Sequence, residues 1–319
     1  MSVYTVVEET QLIDFLKDYD VGVLDNFEGI SAGIENTNYF VNTVKNGQQQ
    51  RFVLTIFEHH SFDELPYFLN IMAFMAEHNI PTAHPMPRHS EEGGGKYLKE
   101  LCGKPASLVE RLKGGGVENP SVVQCGVMGE QLAAFHLAGL EYDQFRPNDR
   151  DLNWMQATYE TIKPNLNEEE SALIESELVF QNSVDWAHCP KGVTHADLFC
   201  DNALFDGDTL SGIIDLYYAC HSSFLYDLAV MVNDWCRTHS DSPEAISFDQ
   251  TKVNTMLQAY QNKRPLTEVE QSVWPAALRL AALRFFLSRL KDKYMPREGE
   301  MTQIKDPDIF KQILKIHQS

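Results

Sequence analysis

The stretch that decides the fold reads GVTHADLFCDNALFDGDTLSGIIDLYYA and covers residues 192–219. It contains His195-x-Asp197, then Asn202, and later an apolar run that ends in Asp215. A phosphoryl-transfer site uses one carboxylate to position the attacking hydroxyl. An amide oxygen and a second carboxylate hold magnesium on the nucleotide phosphates. Because Mg²⁺ takes few protein ligands and leaves the rest of its coordination to phosphate and water, Asn202 and Asp215 suffice as its predicted ligands.

The segment between Asn202 and Asp215 predicts a hairpin. Asp206-Gly207 separates two short apolar runs, and this pair favours a tight turn because glycine tolerates a positive φ. Such a hairpin would return the chain and bring Asp215 beside Asn202. The alternative is an ordinary hairpin with acidic surface loops. The combination of motif, spacing and hairpin favours the phosphoryl-transfer interpretation.

The composition is that of a globular protein. The chain has 319 residues, 43% of them hydrophobic and 23% charged, which is long enough for two lobes. Its formal net charge of −20 makes nucleic acid and anionic membrane surfaces poor partners. A phosphate ligand remains compatible with this charge, since magnesium and backbone amides supply local positive potential.

Charge and cysteine usage predict the compartment. Several acidic residues in the first twenty positions argue against a secretory signal, and no uncharged run is long enough for a membrane span. The six cysteines are scattered without a CxxC pair. This is the pattern of free thiols in a reducing compartment rather than of zinc ligands or disulfides. We therefore expect a cytoplasmic protein.

Residues 1–112 are predicted to form a strand-rich N-terminal lobe. Three runs between residues 21 and 55 are rich in β-branched and aromatic side chains, which favours strands. The loop between the first two runs contains Ser31 and Gly33. Small residues there could let backbone amides approach nucleotide phosphates, although glycine in a hairpin loop is often only a turn.

The main helix of this lobe follows the third strand, and Glu64 in it has two interpretations. Ser61-x-x-Glu64 is a capping-box pattern that would open the helix. A kinase-like fold would place a carboxylate of this helix towards the nucleotide. A capping glutamate that accepts a hydrogen bond from the Ser61 amide explains the same residue without a catalytic role. The sequence leaves both interpretations open.

A run of three glycines, Gly114 to Gly116, marks the predicted boundary between the lobes. Beyond it, residues 113–319 favour helices, the first of them opening at Asn119-Pro120, a cap followed by a first-turn proline. His136 near the end of that helix is interpreted as a hydrogen-bonded core residue. Further helices are predicted from residue 168 and over 224–236, 249–262 and 267–293.

Seven stretches across the chain carry a family resemblance. They are GIENTNYFV (33–41), FVLTIFEHH (52–60), DELPYFLNIM (63–72), THADLFCDNALF (194–205), IIDLYYAC (213–220), YDLAVMVNDWC (226–236) and ALRFFLSRL (282–290). The chain resembles the aminoglycoside phosphotransferase and choline kinase superfamily, and within it the homoserine kinases of this fold. The resemblance implies an α+β class and a bilobal protein-kinase-like fold. Its N-lobe has an antiparallel sheet with one main helix, and its C-lobe is mostly helical.

The resemblance also implies roles for matching residues. Asp197 would orient or accept the proton of the substrate hydroxyl, and His195 would orient the catalytic loop. Asn202 and Asp215 would be the Mg²⁺ ligands. Asp227 would be a structural aspartate that binds loop backbone.

The same resemblance implies which residues bind ATP, and the sequence differs from the family pattern at one of these positions. Ser31 and Gly33 would lie over the phosphates, and the backbone from Glu110 to Leu112 would meet the adenine. On the third strand, Thr55 stands where the superfamily usually has a basic residue that neutralises the phosphates. We read this as a trait of the homoserine kinase relatives. Magnesium, loop amides or another cation would then contact the phosphates.

The predicted function is ATP-dependent phosphorylation of the side-chain hydroxyl of L-homoserine, a reaction of threonine biosynthesis, by direct in-line transfer. A zwitterionic substrate needs an anion for its ammonium and a cation for its carboxylate. The candidates are Asp234 for the ammonium, and one of Arg146, Arg150 and Arg284 for the carboxylate. We expect a monomer or a homodimer.

Two alternatives remain open from the sequence. One is a kinase for another small alcohol such as choline, methylthioribose or an aminoglycoside, whose positive charges would suit the net charge of −20. The other is a nucleotide-binding regulatory protein that has lost catalysis, which Thr55 suggests. Retention of Asp197, Asn202 and Asp215 argues against that second alternative.

Overall fold

The computed structural model describes residues 4–30, 36–90, 95–240, 242–296 and 305–319. The chain divides into two compact units. The first consists of Met1–Gly114 and Ser211–Tyr217, and the second of Gly115–Leu210 and Tyr218–Ser319. Within the described ranges, no helix has an apolar stretch long enough to span a membrane.

The first unit is built on a five-stranded antiparallel sheet. Buried and partly exposed residues alternate along its second strand, as in a strand that turns one face to a core. The sheet confirms the predicted strands. Its members, in the spatial order β1-β2-β3-β5-β4, are β1 (Val23–Gly29), β2 (Thr37–Lys45), β3 (Gln48–Ile56), β4 (Lys99–Leu101) and β5 (Lys104–Glu110).

Two helices accompany the sheet. Helix α1 (Glu9–Leu16) has no strong sequence signal and is an addition to the predicted lobe. It contributes Leu12 and Phe15 to the same buried cluster as Leu54 of the sheet, so its apolar side covers one face of the strands. Helix α2 (Leu65–Glu77) is the predicted main helix.

Helix α2 begins one turn later than the capping-box pattern predicts. Its N-cap residue is Glu64 rather than Ser61. The Ser61 backbone N–H and hydroxyl nevertheless both donate to the Glu64 carboxylate, at 3.0 Å each. The hydrogen bonds expected between Ser61 and a capping Glu64 are therefore present, but they lie in the turn that precedes the helix.

The second unit is mainly helical. A two-stranded antiparallel sheet of β6 (Lys191–Thr194) and β9 (Cys220–Ser223) accompanies its helices. The predicted helices are confirmed, with small shifts of their ends. The helices are α3 (Val122–Gly139), α4 (Leu152–Ile162), α5 (Glu168–Ser183), α6 (Phe224–Trp235), α7 (Gln250–Lys263), α8 (Glu268–Tyr294) and α9 (Asp308–Gln318).

The predicted start of α3 at Asn119-Pro120 is wrong by about half a turn. The N-cap residue is Ser121, whose hydroxyl accepts from the Gln124 N–H at 3.1 Å, while the Gln124 side chain accepts from the Ser121 N–H at 2.9 Å. This reciprocal pair satisfies two backbone donors at the helix start.

The predicted hairpin is confirmed. Strands β7 (Ala203–Asp206) and β8 (Thr209–Ile213) pair as a two-stranded sheet. Gly207 between them has a φ of 62°, which is the conformation that makes glycine favourable in a tight turn.

Helix α6 lies at the centre of the second unit and is buried along its whole length. Most of its side chains are apolar, and Leu225, Ala229 and Val230 join a core that α8 and α9 complete. Its polar residues Asp227 and Asp234 are buried as well. Because an unpaired buried carboxylate is strongly unfavourable, each must have partners nearby.

Candidate active site

The catalytic loop, residues 195–202, connects β6 to β7 and ends in a 3₁₀ turn. The loop is unusually buried, with His195 0% and Asn202 9% exposed. The Asp197 side chain keeps 17% of its surface accessible. A buried loop must find partners for its backbone polar groups, and the two acidic residues of α6 supply them.

Asp227 binds the start of the catalytic loop. Its two carboxylate oxygens accept the backbone N–H groups of His195 and Ala196, each at 2.8 Å. Ala196 has a φ of 64°, a left-handed conformation that an alanine adopts only at a cost of about 1–2 kcal/mol. This conformation turns two successive N–H groups towards one anion. The role implied for Asp227 by the family resemblance is therefore present in the structure.

A chain of buried hydrogen bonds extends from Asp227 into the core. His136 Nε2 lies 2.9 Å from the Asp227 carboxylate, and His136 Nδ1 lies 2.7 Å from the Tyr260 hydroxyl. Arg264 donates to that hydroxyl at 3.2 Å and to Glu270 at 2.9 Å. Since Arg264 only donates, the directions are consistent with Tyr260 donating to His136 and a neutral His136 donating to Asp227.

The electrostatics of this network agree with a neutral histidine beside a carboxylate. Burial lowers the pKa of His136, with Asp227 opposing the shift. Burial alone would raise the pKa of Asp227, but hydrogen bonds from His136 and from the His195 backbone N–H help to hold that pKa below its ordinary value. The prediction that His136 is a hydrogen-bonded core residue is confirmed.

Asp234 binds the other end of the catalytic loop. One oxygen accepts the Cys200 backbone N–H at 2.9 Å, and the other accepts from Arg237 at 3.1 Å. The neighbouring Trp235 donates its indole N–H to the Leu198 carbonyl at 3.0 Å. Burial opposes ionisation of Asp234, but Arg237 and Cys200 keep its pKa below the ordinary value. Both ends of the loop are thus bound to one helix.

Inside the loop, Asn202 and His195 orient the backbone around Asp197. The Asn202 Nδ2 donates to the Asp197 carbonyl at 2.8 Å, and the Asp197 N–H donates to His195 Nδ1 at 3.3 Å. The Asn202 amide therefore offers its Oδ1 oxygen to a cation. That oxygen and the Asp215 carboxylate are each hard donors of the kind that Mg²⁺ prefers.

Arg284 is the predicted substrate residue that lies against Asp197. One of its guanidinium nitrogens is 3.5 Å from the Asp197 carboxylate, and its side chain is 5% exposed. Burial raises the pKa of Asp197, and Arg284 opposes the shift. The guanidinium also lies over the Phe285 ring, 3.9 Å from its centroid. Arg284 is therefore held in place beside the group that we expect to meet the substrate hydroxyl.

The other predicted substrate residues have different surroundings. Arg146 pairs with Asp149 at 2.6 Å, and Arg150 lies over the Trp154 ring, 4.9 Å from its centroid. Asp234 uses both carboxylate oxygens for the loop and for Arg237, as described above. The arrangement brings Arg284 to Asp197 and gives Asp234 a role in supporting the loop.

The residues predicted to meet the nucleotide belong to the first unit. Ser31 and Gly33 lie outside the described residues. Glu110 ends β5, and its backbone N–H donates to the His84 carbonyl at 2.9 Å. Leu112 packs closely on Gly212, so a Cβ atom at position 212 would clash with the Leu112 side chain.

Asp215 and Thr55 also lie in the first unit. Asp215 follows β8 with a φ of 63°, a left-handed conformation that aspartate tolerates better than most residues. The Thr55 hydroxyl donates to the Asn38 side chain at 2.8 Å. Thr55 is 5% exposed, so it acts as a buried hydrogen-bonding residue of the sheet.

Two arginines near the catalytic loop were not among the site residues predicted from the sequence. Arg237 follows α6 and pairs with Asp234, and Arg289 on α8 donates to the Asp306 carbonyl at 2.7 Å. Their spacing gave one usable signal, because Arg237 stands three residues after a buried aspartate and can pair with it within one turn. Arg289 had no such signal, since its neighbours come from distant parts of the chain.

Comparison with known proteins identifies the family. The model of the phosphotransferase enzyme family matches residues 26–266. A homoserine kinase of Methylobacillus flagellatus is 46% identical over 315 residues, covering 99% of this chain and 95% of that protein. A homoserine kinase of Methylobacillus glycogenes is 42% identical with the same coverage.

Solved structures agree on the fold. A spectinomycin phosphotransferase in complex with ADP and spectinomycin has a TM-score of 0.71 and 12% identity, covering 99% of each chain. A choline kinase from Cryptosporidium parvum has a TM-score of 0.68 and 12% identity, covering 98% of this chain and 94% of that one. At such low identity these likenesses establish the fold alone, and they confirm the predicted α+β, protein-kinase-like class.

The sequence matches and the fold point to the same group of enzymes. The family match covers most of the chain, and the homoserine kinases named above are similar over almost its full length. The chain belongs to the phosphotransferase enzyme family, in the group whose curated members are homoserine kinases.

Proposed function

We propose that the chain is an ATP-dependent kinase that converts L-homoserine to O-phospho-L-homoserine. The observation that carries this proposal is the Asp197 carboxylate, which stays accessible on a loop that two buried aspartates of α6 bind at both ends. The choice of homoserine rests on the 46% identity to a homoserine kinase over 99% of the chain.

Asp197 acts on the acceptor hydroxyl. Its carboxylate orients the hydroxyl for in-line attack on the γ-phosphate and accepts the proton as the new P–O bond forms. His195 contributes by accepting the Asp197 N–H, which fixes the backbone from which the carboxylate projects. The transfer is direct, so positioning and electrostatic stabilisation supply most of the rate.

The nucleotide side of the proposal keeps the roles implied by the family. Residues 1–112 form the nucleotide-binding lobe, in which Ser31 and Gly33 contact the phosphates and the backbone from Glu110 to Leu112 contacts the adenine. Residues 113–319, apart from Ser211–Tyr217, which group with the first unit, form the lobe that carries the catalytic loop.

Asn202 and Asp215 hold Mg²⁺, which neutralises the phosphate charge when bound. Thr55 has no positive charge, so this neutralisation is left to the metal and to loop amides.

The test of substrate identity is an ADP-release assay with ATP, Mg²⁺ and a panel of acceptors: L-homoserine, choline, methylthioribose and an aminoglycoside. We expect L-homoserine to have the highest kcat/KM, with ³¹P NMR identifying O-phospho-L-homoserine as the product. A higher kcat/KM for another acceptor would identify that acceptor, instead of homoserine, as the substrate. ATP binding without turnover of any acceptor would favour the regulatory alternative.

The test of the catalytic assignment is Asp197→Asn. Loss of the proton acceptor should lower kcat for homoserine by about 10²–10⁴-fold, while the Kd for ATP stays within a factor of two or three. Asp215→Ala is the matched comparison, because loss of a metal ligand should weaken MgATP binding as well as turnover. A modest loss of turnover in Asp197→Asn would remove that residue from the chemistry.

A further inference from the structure

Three guanidinium groups surround the second half of the catalytic loop. Arg284 lies 3.5 Å from Asp197, and Arg237 lies 3.1 Å from Asp234. Arg289 lies over the Phe310 ring, 4.5 Å from its centroid, and the Phe310 ring is 6.0 Å from that of Phe199 in the loop. Arg289 also interacts electrostatically with Arg237, Asp234, Asp306 and Asp197. We call Arg237, Arg284 and Arg289 the arginine cluster. It stands out in a chain whose formal net charge is −20.

The buried charges of this region do not balance. The three guanidiniums are buried or partly buried, and the buried carboxylates among their partners are Asp197 and Asp234. Burial, and then repulsion by Arg237, lower the pKa of Arg289 to about 10. One positive charge therefore lacks a buried counter-charge among the described residues. Burying an uncompensated charge is costly, and a bound anion would remove that cost.

Charges nearer the solvent do not change this balance. Lys305 and Asp201 are exposed and pair with each other at 3.5 Å. Asp306 is exposed, and its side chain accepts the Asp308 N–H at 2.9 Å at the start of α9. Solvent screens these groups, so they contribute little to the field inside the cluster.

The cluster also contains buried donors without acceptors. The Nε atoms of Arg237 and Arg284 are buried and have no hydrogen-bond partner among the described residues. Asp234 accepts from the Cys200 N–H and from a terminal nitrogen of Arg237, and neither Nε reaches it. Most buried polar groups in folded proteins have a partner. These two donors leave hydrogen-bonding capacity for an oxygen-bearing ligand.

We propose that the arginine cluster is the subsite for the carboxylate of the hydroxyl substrate, with Arg237 and Arg289 as its main contacts. This inference rests on the proposed function and names the residues that select its acceptor. Arginine suits the task because its planar fork matches the two oxygens of a carboxylate. Arg284 lies 3.5 Å from Asp197, which receives the hydroxyl at the other end of the substrate.

The proposal changes the role of Asp234. Instead of binding the substrate ammonium, Asp234 positions Arg237 through their 3.1 Å ion pair and ties it to the Cys200 end of the loop. A carboxylate subsite also explains selection among relatives of this fold. Choline and aminoglycosides are cations without a carboxylate, so the arginine cluster would repel them while attracting an amino acid.

The experiment compares three acceptors that share a primary hydroxyl. L-homoserine has both an ammonium and a carboxylate, 3-amino-1-propanol lacks the carboxylate, and 4-hydroxybutyrate lacks the ammonium. The variants are Arg289→Met, Arg289→Lys and the double variant Arg237→Met/Asp234→Asn, which removes the buried ion pair without leaving a lone charge. Lys293→Met is the control, because it removes one exposed positive charge from the same helix.

Arg289→Met and the double variant should each raise KM for L-homoserine by about 10- to 100-fold, as expected for loss of a charged hydrogen bond. Arg289→Met should leave kcat/KM for 3-amino-1-propanol within about threefold, and the double variant, which also changes a loop-binding residue, should lose more for L-homoserine than for 3-amino-1-propanol. Binding of 4-hydroxybutyrate, measured as its inhibition constant against homoserine, should weaken in parallel with the homoserine KM. Arg289→Lys should retain part of the affinity, and Lys293→Met should match the wild type.

Two results would overturn the subsite. One is an unchanged KM for homoserine in both Arg289→Met and the double variant. The other is an equal loss for homoserine and 3-amino-1-propanol, which would indicate a general effect on Asp197. If the wild type phosphorylates homoserine in either case, the proposed function stands and the subsite falls. If the wild type prefers a different carboxylate-bearing alcohol and Arg289→Met raises the KM for that alcohol, homoserine is rejected as the substrate and the carboxylate subsite is supported.

Discussion

Asp227 and Asp234 lie about two turns apart on α6, and both accept backbone N–H groups of the catalytic loop, but their networks differ. Asp227 contacts a histidine that burial keeps neutral, and the hydrogen bonds run on to Glu270. Asp234 contacts Arg237, whose Nε has no partner among the described residues. We call a network closed when its donors and acceptors are paired with one another, and such a network can only support the loop. An open network has a donor without a partner and therefore retains the capacity to bind a ligand.

The two networks also differ in what holds them in place. The Asp227 network is completely buried at Asp227, His136 and Glu270, so the protein alone stabilises every group. The Arg237 side chain keeps 11% of its surface exposed, so water or a substrate can reach it. We expect substitutions in the first network to lower stability most, and substitutions in the second to change substrate affinity as well.

The largest effect is expected for Asp227→Ala. It removes the acceptor of two loop N–H groups and leaves His136 without its partner, so the free energy of unfolding should fall by about 3–5 kcal/mol. Urea denaturation followed by tryptophan fluorescence measures this loss, because Trp154, Trp186, Trp235 and Trp274 all lie in the second unit. Asp227→Asn, which keeps one acceptor oxygen, is the control with a smaller loss. A loss below about 1 kcal/mol for Asp227→Ala would contradict the closed network.

Asp234→Ala should have a smaller effect on stability. Its removal leaves the Cys200 N–H and Arg237 without an acceptor, but Arg237 can turn to solvent, so we expect a loss of about 1–3 kcal/mol. KM for homoserine should rise at the same time, because Arg237 loses its fixed position. The same denaturation and steady-state assays measure both quantities. A stability loss as large as that of Asp227→Ala would remove the distinction between the two networks.

The dependence of folding stability on pH should also distinguish the two networks. Unfolded His136 takes up a proton near its ordinary pKa of 6.5, whereas folded His136, whose pKa is lowered, does so only at lower pH. The unfolded state therefore binds more protons just below pH 6.5, so stability rises with pH through this window and falls on acidification. His136→Gln should flatten the dependence by up to about 1.4 kcal/mol per pH unit.

Denaturation midpoints between pH 7 and pH 5 test this prediction. His239 and His317 also have lowered pKa values, so the variant should keep a residual slope from them. His317→Gln is the matched comparison, because it removes another histidine with a lowered pKa, one that contacts Asn233 at 2.7 Å rather than Asp227. An unchanged slope in His136→Gln would mean that the pKa of His136 is the same in the folded and unfolded states.

Tyr260→Phe should give the smallest effect. It removes the hydroxyl between His136 and Arg264 while keeping the aromatic ring, so stability should fall by about 1 kcal/mol. Turnover of homoserine should remain within about twofold of the wild type, since Asp227 still holds the loop. A tenfold loss of kcat would show that the network acts on the chemistry and not only on the loop.

Much of the local structure could be predicted from the sequence. The strands of the first unit, the hairpin at Asp206-Gly207 and the order of the helices follow from periodicity and turn residues, which act over a few positions. Errors occurred where two local signals competed. Asn119-Pro120 and Ser121 both resemble a helix start, and the reciprocal bonds of Ser121 with Gln124 decided between them.

The amino-acid sequence by itself determined the catalytic loop, because His195, Asp197 and Asn202 stand close together along the chain. Only the tertiary structure decided which arginines serve it. Arg279, Arg284 and Arg289 repeat every five residues on α8, a step of about 140° around the helix, so they cannot share a face. The packing of α8 sends Arg279 to Glu177, Arg284 to Asp197 and Arg289 to the Asp306 carbonyl. These partners lie between 17 and 102 positions away in sequence, where no local pattern can indicate them.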